Sequence, residues 1–162
     1  MIVSVGILAL VTLQRLGELV LARRNTARLL AKGGVETGAA HYPLIVAVHA
    51  AWLVGLFALA WDRPVNWIWM GIFVLLQLAR VWVIASLGGR WTTRIITIPG
   101  ETLVRRGPYR FVSHPNYIVV AAEIAVLPLA FGLTAFAAIF SVLNAAVLAI
   151  RIRAESEALR RA

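Results

Sequence analysis

A basic, turn-rich segment of this chain leads directly into an apolar run and carries most of the side chains that could do chemistry. The segment extends from Leu103 to Glu123 and reads LVRRGPYRFVSHPNYIVVAAE. Pro115 suits the first position of a helix, so the chain should turn sharply at His114 and leave free backbone N–H groups above the helix. Those groups favour a carboxylate or phosphate. Nearby positive charge comes from Arg105, Arg106 and Arg110. The alternative is a capped helix start beside anionic lipid head groups.

A second group of candidate residues lies near the end of the chain. Arg151 and Glu155 are four residues apart, as are Arg153 and Glu157, so each pair can share one helix face. In the functional interpretation, Arg151 holds an anion while Glu155 orients or neutralises a cationic group. In the alternative, both are solvated ion pairs on a helix end that leaves the membrane, each worth a few tenths of a kcal/mol.

Ionisable residues also fall inside apolar stretches, where a charge is costly and usually faces the interior of a helix bundle. Glu123 needs a partner there, and Arg15 can pair with Glu18 at a spacing of three residues. The alternative to a functional role is a structural polar cluster. Its members would be Arg15, Glu18, Arg80 and Glu123.

Histidines near the start of the second apolar run are further candidates. His41, followed by Tyr42, would lie at the membrane edge, at the depth of a substrate headgroup, with His49 about two turns deeper. The alternative for each is a structural histidine with one hydrogen-bonded ring nitrogen.

The elements that must position these residues are predicted to be membrane helices. Hydrophobic residues make up 61% of the 162 residues, far above the usual share in water-soluble domains. Apolar runs predict spans at about 2–22, 42–61 and 65–87. The block 117–150 is interrupted at Pro128 and at Phe131-Gly132, which predicts a helical hairpin whose first arm, about 22 Å long, is short for a crossing. We therefore expect an all-α integral membrane protein with about five transmembrane helices.

The distribution of basic residues predicts the topology. Lysine and arginine number four between 23 and 41, five between 90 and 110 and four after 150, against Arg63 alone on the other side. By the positive-inside rule, the N-terminus lies outside, and both long loops and the C-terminus lie in the cytoplasm. The first apolar run has no basic residues before it, so it should be retained rather than removed as a signal peptide.

We expect a single membrane domain, 1–162, with three N-terminal spans in 1–88 and the functional core in 89–162. Within that core, residues 94–98 favour a β-strand closed by Pro99-Gly100. The net charge of +9 does not favour nucleic acid, because the basic residues lie between apolar runs. The chain has no cysteine, which excludes disulfides, thiolate metal sites and a cysteine nucleophile. No metal is expected.

Taken in order, these motifs resemble the isoprenylcysteine carboxyl methyltransferase family and the related phospholipid methyltransferases. The matching elements are Leu103-Val104 before Gly107-Pro108-Tyr109-Arg110, then His114-Pro115-Asn116-Tyr117, Glu123, and Arg151-Ile152 followed by Glu155. The resemblance is strongest over 103–159. The whole chain is most similar to a bacterial subgroup associated with type III polyketide synthases, whose members methylate long-chain alkylpyrones or alkylresorcinols.

The resemblance implies a small membrane enzyme whose C-terminal half encloses S-adenosylmethionine in a cytoplasmic pocket, while a lipophilic acceptor enters from the bilayer. The cofactor-binding residues would be Gly107, Tyr109, His114, Pro115, Tyr117 and Glu123. The catalytic residues would be Arg151, Glu155 and His41. Two positions depart from the family pattern: Ser113 stands where an arginine is common, and Ser156 where a second acidic residue is common.

The implied reaction suits these residue types. Methyl transfer from a sulfonium depends on alignment in a dry site more than on a strong base. Arg151 could stabilise an enolate or phenolate, and His41 or Glu155 could accept its proton. We expect O-methylation of an alkylpyrone or alkylresorcinol, with an isoprenylcysteine carboxylate or a phospholipid amine as alternatives. The rival from another class is a lipid-binding or assembly protein without enzymatic activity.

Overall fold

Five α-helices and two short strands follow one another in the part of the chain that the structure describes. A computed structural model describes residues 1–102 and 104–161, the side chains of residues 159 and 161 excepted. Leu103, with which the basic segment begins, lies outside the described residues. The elements are α1 (Ile2–Ala31), β1 (Val35–Thr37), α2 (Tyr42–Ala60), α3 (Trp67–Leu87), β2 (Ile95–Thr97), α4 (Pro115–Ala130) and α5 (Thr134–Arg161).

Four helical stretches are long and apolar enough to cross a membrane. They are Ile2–Ala31, Ala39–Ala60, Trp67–Arg90 and Thr134–Ala158. Their outer surfaces are apolar: Leu10 and Val54 are each 68% exposed. A water-soluble monomer rarely exposes so large an apolar surface. The prediction of a mainly α-helical integral membrane protein is therefore confirmed. Helix α4 has 16 residues, or about 24 Å at 1.5 Å per residue, which is short for a membrane crossing, so a fifth crossing stays a prediction. The division of the domain into N-terminal spans (1–88) and a functional core (89–162) also stays a prediction.

Helix α1 continues beyond the predicted end of the apolar run at residue 22 and ends at Ala31. The added turns contain arginine, leucine and alanine, which are good helix formers outside a membrane as well as inside it. Asn25 on this extension is buried, and its Nδ2 donates to the carbonyl oxygens of Gly88 at 3.1 Å and Trp91 at 2.8 Å. The end of α1 is thereby fixed to the segment that follows α3.

The two strands pair in an antiparallel ribbon, with Val35 opposite Thr97 and Thr37 opposite Ile95. The predicted strand at 94–98 is confirmed as β2. Its partner β1 was not predicted, because a strand of three residues has little pattern of its own. Arg94 donates to the Glu36 carboxylate at 2.7 Å, which adds an ion pair to the ribbon.

The predicted interruption at Pro128 is wrong. Helix α4 continues through Pro128 to Ala130. Proline lacks the N–H that would bond to the carbonyl oxygen of residue i−4, here Ile124. The indole Nε1 of Trp52 donates to that oxygen instead, at 3.2 Å. A side chain from α2 thus satisfies the acceptor that Pro128 leaves free, and the helix persists.

The apolar core lies where α1, α2, α3 and α4 meet. Leu8, Leu56 and Leu127 have no exposed surface, and Phe131 in the turn after α4 closes the core at one end. Because α4 is surrounded by the other helices, its first turn is held at one end of the bundle, next to the last turns of α5. That end of the bundle contains the candidate site.

Candidate functional site

An open cavity of about 940 Å³ lies at the end of the bundle where α4 begins. Its walls come from β2 and the segments beside it, the first turn of α4 and the last turns of α5. Polar side chains converge on it from segments far apart in sequence. They include Tyr109, His114, Asn116, Tyr117, Arg151 and Glu155.

Tyr117 is the centre of a hydrogen-bond network in this cavity. Its hydroxyl donates to the Glu155 carboxylate and accepts a hydrogen bond from Arg151 Nε at 2.8 Å. Arg151 is 8% exposed, and its Nη1 also donates to the carbonyl oxygen of Thr93 at 2.8 Å. The arginine and the carboxylate are therefore joined through a phenol.

The local sequence explains this arrangement. Arg151 and Glu155 lie one turn apart on α5, so they present their side chains on the same face, as their spacing predicted. Tyr117 is the third residue of α4 and is 9% exposed. Helix α5 continues past the apolar block that ends at Ile150, so Arg151 and Glu155 lie in its more polar last turns and face the first turn of α4.

His114 and Pro115 form the start of α4 as predicted. Pro115 is the first helical residue and His114 precedes it, with φ −130° and ψ 59°. The imidazole stacks on the Tyr117 ring, with centroids 5.3 Å apart and an angle of 14° between the planes. His114 Nδ1 lies 3.6 Å from the Glu155 carboxylate. The histidine thus lies against the network and remains partly open to the cavity.

Tyr109 reaches the cavity from the 3₁₀ turn Gly107–Arg110. Burial, and to a smaller extent the negative charge of Glu155, raises the pKa of Tyr109 to about 12. At neutral pH its hydroxyl is therefore protonated and can donate a hydrogen bond to a ligand.

Gly107 has a structural role that its sequence position did not reveal. It has φ +56°, and a Cβ there would collide with the Ser86 side chain of α3. The neighbouring Arg106 donates to the Ser86 carbonyl oxygen at 2.7 Å. Glycine at 107 thus lets the loop approach α3, and neither Gly107 nor Pro115 is among the described residues that line the cavity.

His41 also lies outside the cavity lining, within the part of the chain that the structure describes. It ends the 3₁₀ turn Ala39–His41 that precedes α2. Its neighbour Tyr42 is closer to the network: the Tyr42 hydroxyl is 3.0 Å from Thr93 Oγ1, and the Arg94 guanidinium lies 4.7 Å from the centre of the Tyr42 ring. The expected catalytic role of His41 therefore has no contact with the cavity to support it.

Glu123 lies in a different group of charged residues. Its carboxylate is 2% exposed and is 3.0 Å from both Arg15 Nη2 and Arg80 Nη1. From Tyr117 to Glu123 a helix rises about 9 Å and turns about 240°, so the two side chains leave α4 on different sides and at different depths. The predicted cofactor-binding role of Glu123 has no cavity contact among residues 1–102 and 104–161.

The group around Glu123 joins three helices, and we call it the interior cluster. Its members are Gln14, Arg15, Glu18, Gln77, Arg80 and Glu123. Glu18 is 2.9 Å from Arg15 and 2.6 Å from Arg80, so the predicted pairing of Arg15 with Glu18 is confirmed. The four charged residues that the sequence grouped in a polar cluster are therefore in contact, which favours the structural alternative.

Two residues of the site were missed by sequence reasoning. Thr93 contributes a backbone carbonyl to Arg151, for which no side-chain pattern exists. Asn116 was noted only as part of the His-Pro-Asn-Tyr motif, yet it lines the cavity, and its Oδ1 is buried without a hydrogen-bond partner in the described structure. Its position in the first turn of α4 was the available signal.

Comparison of the sequence with known proteins finds a family match. A sequence model of the "Isoprenylcysteine carboxyl methyltransferase (ICMT) family" matches residues 69–161, which include α4, α5 and all six cavity residues named above. The chain is 38% identical over 160 residues, 95% of each chain, to the "Uncharacterized protein YpbQ" of Bacillus subtilis (strain 168). It is 24% identical over 156 residues to an "Uncharacterized protein" of Haemophilus influenzae, with 90% and 88% of the two chains covered. No solved structure matches the chain.

Proposed function

Because the chain belongs to the isoprenylcysteine carboxyl methyltransferase family, we propose that it transfers a methyl group from S-adenosylmethionine to an oxygen of a lipophilic acceptor. Family membership itself implies a membrane methyltransferase, and members of the family use this cofactor. The observation that carries the proposal is the network of Arg151, Tyr117 and Glu155 in a cavity at one end of the membrane helices. It combines a cation, a phenol and a carboxylate in a partly shielded site.

The residues in the cavity fit the cofactor. A cavity of about 940 Å³ is at the upper end of the range for small-molecule sites, about 300–1,000 Å³. The buried Asn116 Oδ1 lacks a donor in the described structure, and an ammonium or amine group of a ligand could supply one. Tyr109, His114 and Tyr117 offer one phenol donor and two aromatic faces. We assign Tyr109, His114, Asn116 and Tyr117 to the cofactor.

The chain's own residues would act by positioning and by charge. The bound cofactor supplies an electrophilic methyl group on a sulfonium. Arg151 holds the acceptor oxygen as an anion, and Glu155 receives its proton or balances a positive charge. Tyr117 fixes the distance between these two residues, because its hydroxyl bonds to both. The first turn of α4 and the last turns of α5 restrict water at the reacting atoms.

The acceptor we propose is a long-chain alkylpyrone or alkylresorcinol. An enol or phenol of this kind is acidic enough for a neighbouring guanidinium and a carboxylate to assist its ionisation, so no stronger base is needed. Its alkyl chain would lie in the bilayer beside α4 and α5. An isoprenylcysteine carboxylate and a phospholipid amine are the other acceptor classes, and the labelling experiment below separates them.

We further propose that the cavity faces the cytoplasm, with the N-terminus of the chain on the other side of a bacterial inner membrane. Arg90, Arg94 and Arg105 line the same cavity as Arg151, so this end of the bundle is basic. Basic segments between membrane spans favour the cytoplasmic side.

Titration of the purified protein with S-adenosylhomocysteine in a calorimeter tests the proposed cofactor. We expect saturable binding by the wild type and a large loss for His114→Ala, which removes a cofactor contact. Arg151→Ala should also weaken binding, because Arg151 holds the Tyr117 hydroxyl in place. Arg153→Ala is the matched control, because Arg153 is an exposed arginine on the same helix. Absence of binding by the folded wild-type protein would refute the enzyme and favour a lipid-binding protein.

Incubation of lipid extracts with S-adenosylmethionine that carries a labelled methyl group tests the acceptor. The proposal expects label on alkylpyrone or alkylresorcinol, detected by mass spectrometry. Label confined to phosphatidylethanolamine, or to an isoprenylcysteine peptide added to the extract, would reject the polyketide acceptor and leave the cofactor assignment intact.

A further inference from the structure

A second recess, of about 860 Å³, lies beside the candidate site at the ends of α1 and α3. The last turns of α1 form one wall, and described residues between Ile98 and Thr102 and between Val104 and Arg106 form the other. Five basic side chains line it: Arg28, Lys32, Arg90, Arg105 and Arg106. No role in methyl transfer has been assigned to this recess.

The recess has a large excess of positive charge. Glu101 is the one acidic residue among the described residues that line it, and it is paired with Arg90 at 2.5 Å. Within residues 1–102 and 104–161, no carboxylate lies within salt-bridge distance of Arg28, Lys32 or Arg105. Such a concentration of uncompensated positive charge on the walls of one concave site favours an anion, because an anion there attracts several cations at once.

The depth of the recess matches the head-group layer of a bilayer. The apolar part of α1 ends near residue 22, and Arg28 lies about 9 Å further along the helix axis. Apolar side chains also contribute to the walls: they are Leu29, Leu87, Ile98 and Val104. A ligand with a negative group and an apolar body would satisfy both parts of the recess.

We propose that this recess binds the phosphate group of an anionic phospholipid. Arg28, Lys32 and Arg105 would contact the phosphate, as basic side chains at a membrane surface commonly do. The apolar wall would contact the upper part of an acyl chain, which a soluble phosphate compound lacks. The inference does not depend on methyl transfer, since Arg28 and Lys32 lie outside the lining of the catalytic cavity in the described structure.

Occupancy of the recess would also act on the proposed active site. The segment that includes Ile98, Glu101 and Arg105 lines both cavities. A bound head group would hold this segment against the ends of α1 and α3. We therefore expect the lipid to strengthen binding of S-adenosylhomocysteine, if the proposed function holds.

Native mass spectrometry of the purified full-length protein, with added phosphatidylglycerol or phosphatidylcholine, tests the lipid site. Wild type should retain phosphatidylglycerol in preference to phosphatidylcholine. The double variant Arg28→Gln/Lys32→Gln should bind phosphatidylglycerol about tenfold more weakly, since each basic residue at a surface contributes appreciably to attraction of anionic lipid. Thermal unfolding of each variant in detergent checks that it is folded.

Arg23→Gln/Arg24→Gln is the control, because it removes the same charge from exposed positions on the same helix outside both cavities. It should lower phosphatidylglycerol binding less than Arg28→Gln/Lys32→Gln does, because Arg23 and Arg24 would act only through the general charge of the surface. Equal losses in the two double variants, or no preference of the wild type for phosphatidylglycerol, would overturn the proposal.

A further arm separates lipid from soluble phosphate. Inorganic phosphate should compete weakly with short-chain phosphatidylglycerol, because it cannot use the apolar wall. If inorganic phosphate binds as tightly as the short-chain lipid, and with the same dependence on Arg28 and Lys32, the lipid assignment is wrong. Failure of S-adenosylhomocysteine binding in the wild type would contradict the proposed function and leave the lipid result unaffected.

Discussion

The interior cluster and the cavity network use the same residue types and differ in how completely their charges are compensated. In the interior cluster, two arginines from α1 and α3 surround two glutamates from α1 and α4, and Gln14 and Gln77 bond to the carboxylates. In the cavity network, Arg151 and Glu155 meet through the Tyr117 hydroxyl. The first group is closed by the protein, and the second retains surface for a ligand.

This difference favours a structural role for the interior cluster and a ligand-binding role for the cavity network. Ionisable residues inside membrane helices are often functional, so Glu123 was a reasonable candidate for the site. Its carboxylate, however, is occupied by two guanidinium groups and an amide. A ligand could bind only by breaking those contacts. Glu155, by contrast, keeps 27% of its side chain exposed beside the cavity.

Glu123→Gln should produce the largest loss of stability. It leaves Arg80, which is buried, and Arg15, which is 20% exposed, with one carboxylate, and removal of one partner from a buried ion pair typically costs about 3–5 kcal/mol. Unfolding by denaturing detergent in micelles should show this loss. The control Glu157→Gln changes an exposed glutamate on α5 and should unfold like the wild type. Wild-type stability together with lost S-adenosylhomocysteine binding would instead return Glu123 to the cofactor site.

The sequence could predict the charged members of both groups but only part of their partnerships. Pairs on one helix follow from spacing, and both Arg15 with Glu18 and Arg151 with Glu155 were predicted in this way. Which residue of α1 meets Glu123 depends on how three helices pack, which periodicity does not define. The contact of Arg151 with Thr93 joins a side chain to a backbone carbonyl 58 residues away, and nothing in the sequence marks it.

Tyr117→Phe should have the next largest effect, and it should be on binding. The change removes one hydrogen bond to each of two charged groups, so the Arg151 and Glu155 side chains must be ordered when the cofactor binds, and we expect the affinity to fall roughly tenfold. Calorimetry with S-adenosylhomocysteine should show a correspondingly higher Kd. Tyr42→Phe is the matched control, because its hydroxyl meets only the neutral Thr93 hydroxyl among the contacts found in the described structure. Similar Kd values for the two variants would contradict a special role for Tyr117.

The pH at which Tyr109 ionises tests whether the negative charge of Glu155 raises the pKa of a neighbouring phenol. The pKa of Tyr109 is higher in the folded protein than in the unfolded chain. The neutral phenol therefore stabilises the fold below pH about 10, and this contribution is lost as the pH rises through about 12. The ultraviolet difference spectrum between wild type and Tyr109→Phe follows its ionisation. Glu155→Gln should lower the pKa of Tyr109 only part of the way towards its usual value, because burial, the larger cause of the shift, remains. Ionisation near pH 10 in the wild type would show that Tyr109 is not shielded.

Arg153→Gln/Glu157→Gln should have the smallest effect and gives the sharpest comparison on α5. This pair has the same residue types and the same spacing as Arg151 and Glu155 but lies two residues further along, on the exposed side of the helix. An exposed pair of this kind contributes a few tenths of a kcal/mol at most. Unfolding and S-adenosylhomocysteine affinity should both remain close to the wild type. A loss of affinity as large as that of Arg151→Ala would mean that the overall charge at the end of α5 defines the site, and not the contact of Arg151 with Tyr117.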